Sequence, residues 1–158
     1  MRERKAKRIV FVCTGNICRS PMAEYLLRHH LRNDAKYIIS SAGLHAASGL
    51  MASAAAIEVL REKGIDLTMH CSQPLTKEMA EGANLIAVMT NGHIQNIRTR
   101  FPSAAGKTRL LTSFGRSAAS GRDIQDPIGC STAVYREIRD EIDAALLDMI
   151  LFLQKGLK

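Results

Sequence analysis

The sequence predicts a single α/β domain, built as a four-stranded parallel sheet with helices on both faces. Three observations carry this reading. Short apolar runs alternate with stretches of helical periodicity, the pattern left by successive βαβ units. Two of those runs, IVFV at 9–12 and NLIAVM at 84–89, are almost continuously apolar, as strands covered on both faces must be. Finally, the 158 residues contain no repeat, no low-complexity segment and no linker at which to divide the chain, so 1–158 is expected to share one core.

The elements follow in order. Residues 9–12 are β-branched and aromatic and read as a buried first strand that stops at Cys13. Gly15 and Asn16 mark a turn, and Ser20-Pro21 supplies an N-cap followed by a proline suited to the first helical position. A helix is expected over 21–31, where Met22, Ala23, Leu26, Leu27 and Leu31 fall on one face, and His29 and His30 suit its negative end. After the Asn33-Asp34 turn, 37–40 is a second strand, parallel to the first by a right-handed crossover. Residues 44–52 are small and aperiodic, a loop able to wall a site. Ser53 caps a helix through Ala55, Ala56, Ile57, Val59 and Leu60, which Gly64 stops. Pro74 and Thr76 open another short helix, 84–89 is the third strand, 93–101 a helix ended by Pro102, and 108–112 the fourth strand. Residues 113–129 hold Gly115, Gly121, Pro127 and Gly129 without any period; loops of this length in compact domains are often functional. Ser131 begins the last helix, with Val134, Ile138, Ile142, Leu146, Met149 and Leu153 recurring on one face as far as Lys155.

Ligands of parallel sheets bind beyond the carboxyl ends of the strands. The segment at that position is RIVFVCTGNICRSP, 8–21. Strand, tight loop and helix start together aim backbone N–H groups at an anion. Cys13 and Arg19 place a thiol and a guanidinium at the two ends of that loop, with five residues between them. If the loop curls into a cradle, the helix dipole, the loop amides and Arg19 all favour the thiolate. Such a thiolate can attack phosphorus in line, while Arg19 and the loop Thr14, Gly15, Asn16, Ile17, Cys18 and Ser20 hold the phosphoryl oxygens. Ser20 can also donate its hydroxyl to the sulfur. Cys-x5-Arg alone fits a buried structural cysteine equally well; the flanking strand, Gly15, Ser20 and Pro21 favour the cradle.

Composition narrows the classes. A net charge of +7 and a basic cluster at 2–8 favour an anionic partner, which a phosphate-seeking site explains as well as nucleic acid does. Aromatics are few and do not interleave with basic residues, which argues against nucleic acid. The four cysteines show neither Cys-x2-Cys spacing nor a histidine cluster, so neither a metal site nor a disulfide framework is expected, and Cys71 and Cys130 read as buried or incidental. No apolar run suits membrane insertion, and the run behind MRERKAKR is too short for a signal peptide, so a cytoplasmic protein is expected.

The stretch VCTGNICRSPMAE, 12–24, resembles the phosphate-binding loop and first helix start of the low-molecular-weight protein tyrosine phosphatases. That resemblance implies an α/β fold and a cysteinyl-phosphate mechanism without metal or cofactor, with Cys13 as nucleophile and Arg19 binding the phosphoryl group. It implies a phosphorylated protein or peptide as substrate, with a cognate kinase as a possible partner. It also assigns a general acid. Asp126-Pro127 is by itself an ordinary turn opener, but a loop Asp-Pro before the last helix is the family's acid motif; Asp123 is a competitor without the proline. Asn16, Ser20, Ser41 and His70 match the residues that hold the family's loop in shape.

Departures bear on the substrate. Many family members follow Asp-Pro with an aromatic, where this chain has Ile128. The chain is also similar to the bacterial protein-arginine phosphatases at PLT (74–76), at MT (89–90) and at Tyr135 with RDE (139–141), yet those enzymes carry threonine where this chain has Ile17. A threonine hydroxyl can bond guanidinium nitrogens, whereas isoleucine packs against an aromatic ring, so the sequence favours phosphotyrosine over phosphoarginine. Arsenate reductases of this fold carry relay cysteines after strand three, and 88–101 contains none. A catalytically silent phosphoprotein-binding module would not need Cys13, Arg19 and Asp126 together. Cys18 shares the loop with Cys13, and a curled loop would let the two thiols meet as a disulfide under peroxide.

Overall fold

In the computed structural model, which describes residues 5–116 and 120–157, four strands form one all-parallel sheet of order β2-β1-β3-β4: β1 (Lys7–Cys13), β2 (Tyr37–Gly43), β3 (Leu85–Val88) and β4 (Thr108–Leu110). Arg2 and Arg4 of the basic cluster and 117–119 of the long loop lie outside the described residues. Among the described residues five α-helices accompany the sheet: α1 (Arg19–His30), α2 (Ala54–Arg61), α3 (Lys77–Gly82), α4 (Asn91–Arg100) and α5 (Thr132–Gln154).

The pleat of β1 divides the core. Ile9, Phe11 and Cys13 point into one layer with α1, α2 and α5, while Val10 and Val12 point into the other with α3 and α4. Both faces are therefore covered, which is why the strands carry so few polar residues. Hydroxyl caps start four helices: the side chains of Ser53, Thr76, Thr90 and Ser131 accept backbone N–H groups of α2, α3, α4 and α5. Gly64 follows α2 at φ +73°, the left-handed stop its position predicts. Among the described residues no helix is long and apolar enough to cross a membrane.

Several boundaries differ from expectation for identifiable reasons. Helix α1 begins at Arg19 with Cys18 in the N-cap position and no side-chain cap, so Ser20 lies inside the first turn. Its hydroxyl is already engaged by Cys13 and Asn16, and Pro21 is tolerated because first-turn N–H groups have no helical partner. Helix α4 starts earlier than predicted, at Asn91, because Thr90 and His93 form a capping box. Strand β4 ends at Leu110 rather than 112: Ser113 Oγ bonds the Leu110 carbonyl and Phe114 packs on Phe152 at 5.0 Å, turning 111–114 into a 3-10 helix over α5. Pro102 both stops α4 and opens a second 3-10 helix. Cys71 and Cys130 are exposed, not buried. His30 is not a bare dipole partner, since its Nε2 lies 2.6 Å from Asp143 Oδ1 on α5.

Candidate active site

The loop from β1 to α1 turns through Asn16, which adopts φ +56°, a left-handed conformation that asparagine tolerates better than most residues. The turn packs against the end of β2. There Gly43 has no room for a side chain, because a Cβ would lie 2.6 Å from the Thr14 carbonyl oxygen. Cys13 ends β1 at 2% exposure, with Sγ 2.9 Å from Ser20 Oγ. Arg19, 3% exposed, donates from Nη1 to the Ile124 carbonyl at 2.9 Å and places Nη2 3.3 Å from Asp126 Oδ2. Its Nε is the one buried side-chain polar atom among the described residues without a protein partner. A buried donor left unpaired is costly, and an anion in the cradle is the acceptor that would satisfy it.

Beneath the loop a chain of hydrogen bonds has a direction. Arg28 Nη2 pairs with Glu24 Oε1 at 2.6 Å, and Ser41 Oγ donates to Glu24 Oε2. With its proton so used, Ser41 Oγ accepts from Asn16 Nδ2 at 2.9 Å. The same amide donates to Ser20 Oγ at 2.8 Å, which leaves the Ser20 proton for Cys13 Sγ, closer than its other acceptor, the Ala42 carbonyl at 3.4 Å. A carboxylate, which can only accept, thereby orients a donor onto the sulfur four groups away. Burial pushes the Glu24 carboxyl above its usual range, and the bonds from Ser41 and Arg28 oppose that shift. His70 Nε2 donates to the Asn16 carbonyl at 2.7 Å, and Gln73 N donates to Asn16 Oδ1 at 3.0 Å.

Asp126 reaches the cleft from the long loop, with its side chain 45% exposed. Its Oδ1 accepts from Ile128 N at 3.1 Å, a turn that aims the carboxyl back toward Arg19. Asp123 does not compete. Both its bonds, at 2.8 Å, go to Asn91 at the start of α4. Cys13, Thr14, Gly15, Ile17, Cys18, Arg19, Asp126 and Ile128 together line a cleft of about 210 Å³. A roomier cavity of about 340 Å³ lies at the opposite end of the sheet among Lys5, Lys7, Arg8 and Asn84, and has no cysteine in its lining. Among the described residues no three His, Cys, Asp or Glu side chains cluster so as to hold a metal ion.

The structure thus brings together every residue that the sequence placed at the site: the loop 13–20, Asp126 at its mouth, and Ser41 and His70 behind Asn16. Sequence reasoning missed Glu24, Gln73, His93 and the pair Ser53 and Tyr135. Cys18 Sγ lies 3.2 Å from Tyr135 Oη and 3.5 Å from Ser53 Oγ. Burial pushes the Cys18 thiol up and the Tyr135 phenol to about 12, so both stay protonated at neutral pH. His93 Nε2 lies 2.9 Å from Thr14 Oγ1. Glu24 falls within the quoted loop and helix-start stretch, and its place one turn before Arg28 is a pairing signal; Ser53 reads in sequence as a helix cap and Tyr135 as a point of likeness, and nothing local marks their contacts with Cys18 or the places of Gln73 and His93.

Comparison with known proteins gives a consistent picture. Residues 8–158 match the family model described as low molecular weight phosphotyrosine protein phosphatase. A protein-arginine-phosphatase of Geobacillus stearothermophilus is 44% identical over 139 residues, covering 88% of this chain and 90% of that relative. A probable low molecular weight protein-tyrosine-phosphatase, EpsP, of Ralstonia nicotianae is 38% identical over 136 residues, covering 86% and 88%. Among solved structures, a mutant of the YwlE arginine phosphatase with a phosphorylated active site serine superposes with a TM-score of 0.88 at 37% identity, covering 94% of this chain and 97% of that one.

Proposed function

This chain belongs to the low molecular weight phosphotyrosine protein phosphatase family, and from that premise we propose that it hydrolyses phosphorylated residues of proteins through a cysteinyl-phosphate on Cys13. The observation that carries the reading is the meeting of Cys13 and Arg19 with Asp126, which is far from both in sequence, in one cleft. In the first step the Cys13 thiolate attacks phosphorus, the bond from phosphorus to the leaving group breaks, and Asp126 as the acid gives its proton to the departing atom. Arg19 and the loop amides hold the three equatorial oxygens, and Ser20 donates to the sulfur. In the second step Asp126, now a carboxylate, takes a proton from water as that water attacks phosphorus. The S–P bond breaks, phosphate leaves, and Ser20 stabilises the returning thiolate.

For the substrate, the 44% identity to a protein-arginine-phosphatase supports phosphoarginine, which reverses the order that Ile17 suggests from sequence. Phosphotyrosine stands as the second reading because Ile17 and Ile128 give the cleft two apolar walls suited to a ring. The likeness to EpsP agrees with that second reading.

Side-by-side kcat/KM values on phosphoarginine and phosphotyrosine peptides decide between them, and higher efficiency on phosphotyrosine would reject the first. Cys13→Ser tests the chemistry common to both. It should abolish nearly all turnover while inorganic phosphate still binds, and retained turnover would refute the covalent mechanism.

A further inference from the structure

His93 stands in the first turn of α4, buried, and its ring makes two hydrogen bonds. Thr90 N donates to Nδ1 at 3.2 Å, so Nδ1 presents its lone pair and the proton of the neutral ring sits on Nε2. Nε2 in turn lies 2.9 Å from Thr14 Oγ1, so the ring donates and the threonine oxygen accepts. Burial, and the positive charge of Arg19 nearby, push the histidine down to about 4 against the opposing pull of Asp123 and Asp126, so this tautomer persists at neutral pH. One lone pair of Thr14 Oγ1 is thereby used. Its proton and second lone pair have no protein partner among the described residues.

Thr14 directly follows Cys13 and lines the cleft, but unlike its neighbour it is exposed. Cys13 and Arg19 are buried and form the floor. A phosphoryl group must descend to that floor, so the rim faces whatever the phosphoryl group is attached to. Four side chains make the rim: Thr14, Ile17, Asp126 and Ile128. The two isoleucines offer no hydrogen bond, and Asp126 is committed to proton transfer. Thr14 is the polar group left to meet the leaving group. A guanidino group presents N–H donors that a hydroxyl lone pair can accept, whereas a phenyl ring offers only carbon beyond its bridging oxygen.

We propose that Thr14 is a specificity-determining residue whose hydroxyl accepts a guanidino N–H of the substrate, and that His93 is the positioning residue that orients it. This rests on the phosphoarginine reading above. The pair supplies a polar contact at the rim that Ile17 cannot make, and it selects phosphoarginine over phosphotyrosine.

The test is a double-mutant cycle read as the ratio of kcat/KM on a phosphoarginine peptide to that on a phosphotyrosine peptide. Thr14→Val and His93→Ala should each lower the ratio about five- to tenfold, the range of one lost hydrogen bond. Adding His93→Ala to Thr14→Val should lower it no further, because the histidine acts only through the threonine. His93→Phe, which fills the buried space without a donor, replaces His93→Ala in the cycle if the alanine variant does not fold. A ratio unmoved by Thr14→Val, or a His93 effect that persists in the Thr14→Val background, overturns the inference while the phosphatase reading stands. A parent enzyme active on phosphotyrosine and inactive on phosphoarginine overturns the substrate assignment itself, and the pair's role with it.

Discussion

Asn16 holds the loop together, and its removal should show in stability before activity is measured. Its side chain makes three bonds, to Ser20 Oγ, Ser41 Oγ and Gln73 N, all within 3.0 Å, and the residue is fully buried. At about 1 kcal/mol net for each, Asn16→Ala forfeits about 3 kcal/mol. Alanine must also adopt φ +56°, which costs about 1 kcal/mol more. The sum, about 4 kcal/mol, is a large part of the ~5–15 kcal/mol that holds a domain folded. At about 2–4 °C per kcal/mol for a chain of this size, the melting temperature should fall by about 8–16 °C. Asn16→Gly loses the same bonds but not the steric penalty, so it should melt above Asn16→Ala by the equivalent of about 1 kcal/mol. Thermal denaturation followed by circular dichroism reads both. A loss below about 1 kcal/mol for Asn16→Ala, or a glycine variant no more stable than the alanine one, would refute the account of this loop.

Three further outcomes are expected. Asp126→Asn should slow turnover of substrates with poor leaving groups by about 10²–10⁴-fold, and by less where the leaving group needs no proton; equal losses for both would mark the carboxyl as structural. Glu62, bonded by Arg136 and Arg139 across α2 and α5, is held at about 2, below its ordinary range. A depressed carboxyl stabilises the fold above its unfolded value of 4.5, and that contribution is lost as pH falls toward about 2. Acid titration of Glu62→Gln should therefore show a shallower decline than the parent, by a margin that shrinks in high salt, and parallel curves would contradict this. Peroxide should inactivate the enzyme reversibly through a Cys13–Cys18 disulfide, visible by mass spectrometry, and Cys18→Ser should make the loss permanent. Full recovery of that variant with dithiothreitol would exclude a protective role; Tyr135→Phe, which removes a hydrogen bond that lowers the Cys18 thiol and so favours its thiolate, should slow formation of the bond.

Much of the molecule was legible before any coordinate. The sheet is readable because doubly covered strands must be apolar, and 9–12 and 84–89 have no other use for so unbroken a run. The loop after β1 is readable because Cys13, Gly15, Arg19, Ser20 and Pro21 lie within one short stretch of chain, where spacing is geometry. Asp126 needed the family resemblance, since Asp-Pro alone describes many turns. Element ends were less legible. Ser20 carries the signature of a cap, and only the approach of Cys13 and Asn16 shows that its hydroxyl is spent elsewhere. Strand β4 stops at Leu110 because of Phe152, a residue in another element.

By itself the sequence determined the fold class and the groups placed at its loop: a parallel α/β sheet with a thiol and a guanidinium at the carboxyl end of its first strand. Those are set by local patterns, hydrophobic period and turn residues, which act over a few positions. The tertiary structure alone decided the direction of the bonds that aim Ser20 at Cys13, the engagement of Asp123 with α4, and the meeting of His93 with Thr14. Each of these depends on a pair of groups 17 to 79 residues apart: Glu24 with Ser41, Asn91 with Asp123, and Thr14 with His93. No local period records such a pairing, because a hydrogen bond depends on where two elements come to rest against each other and not on the spacing between its partners along the chain.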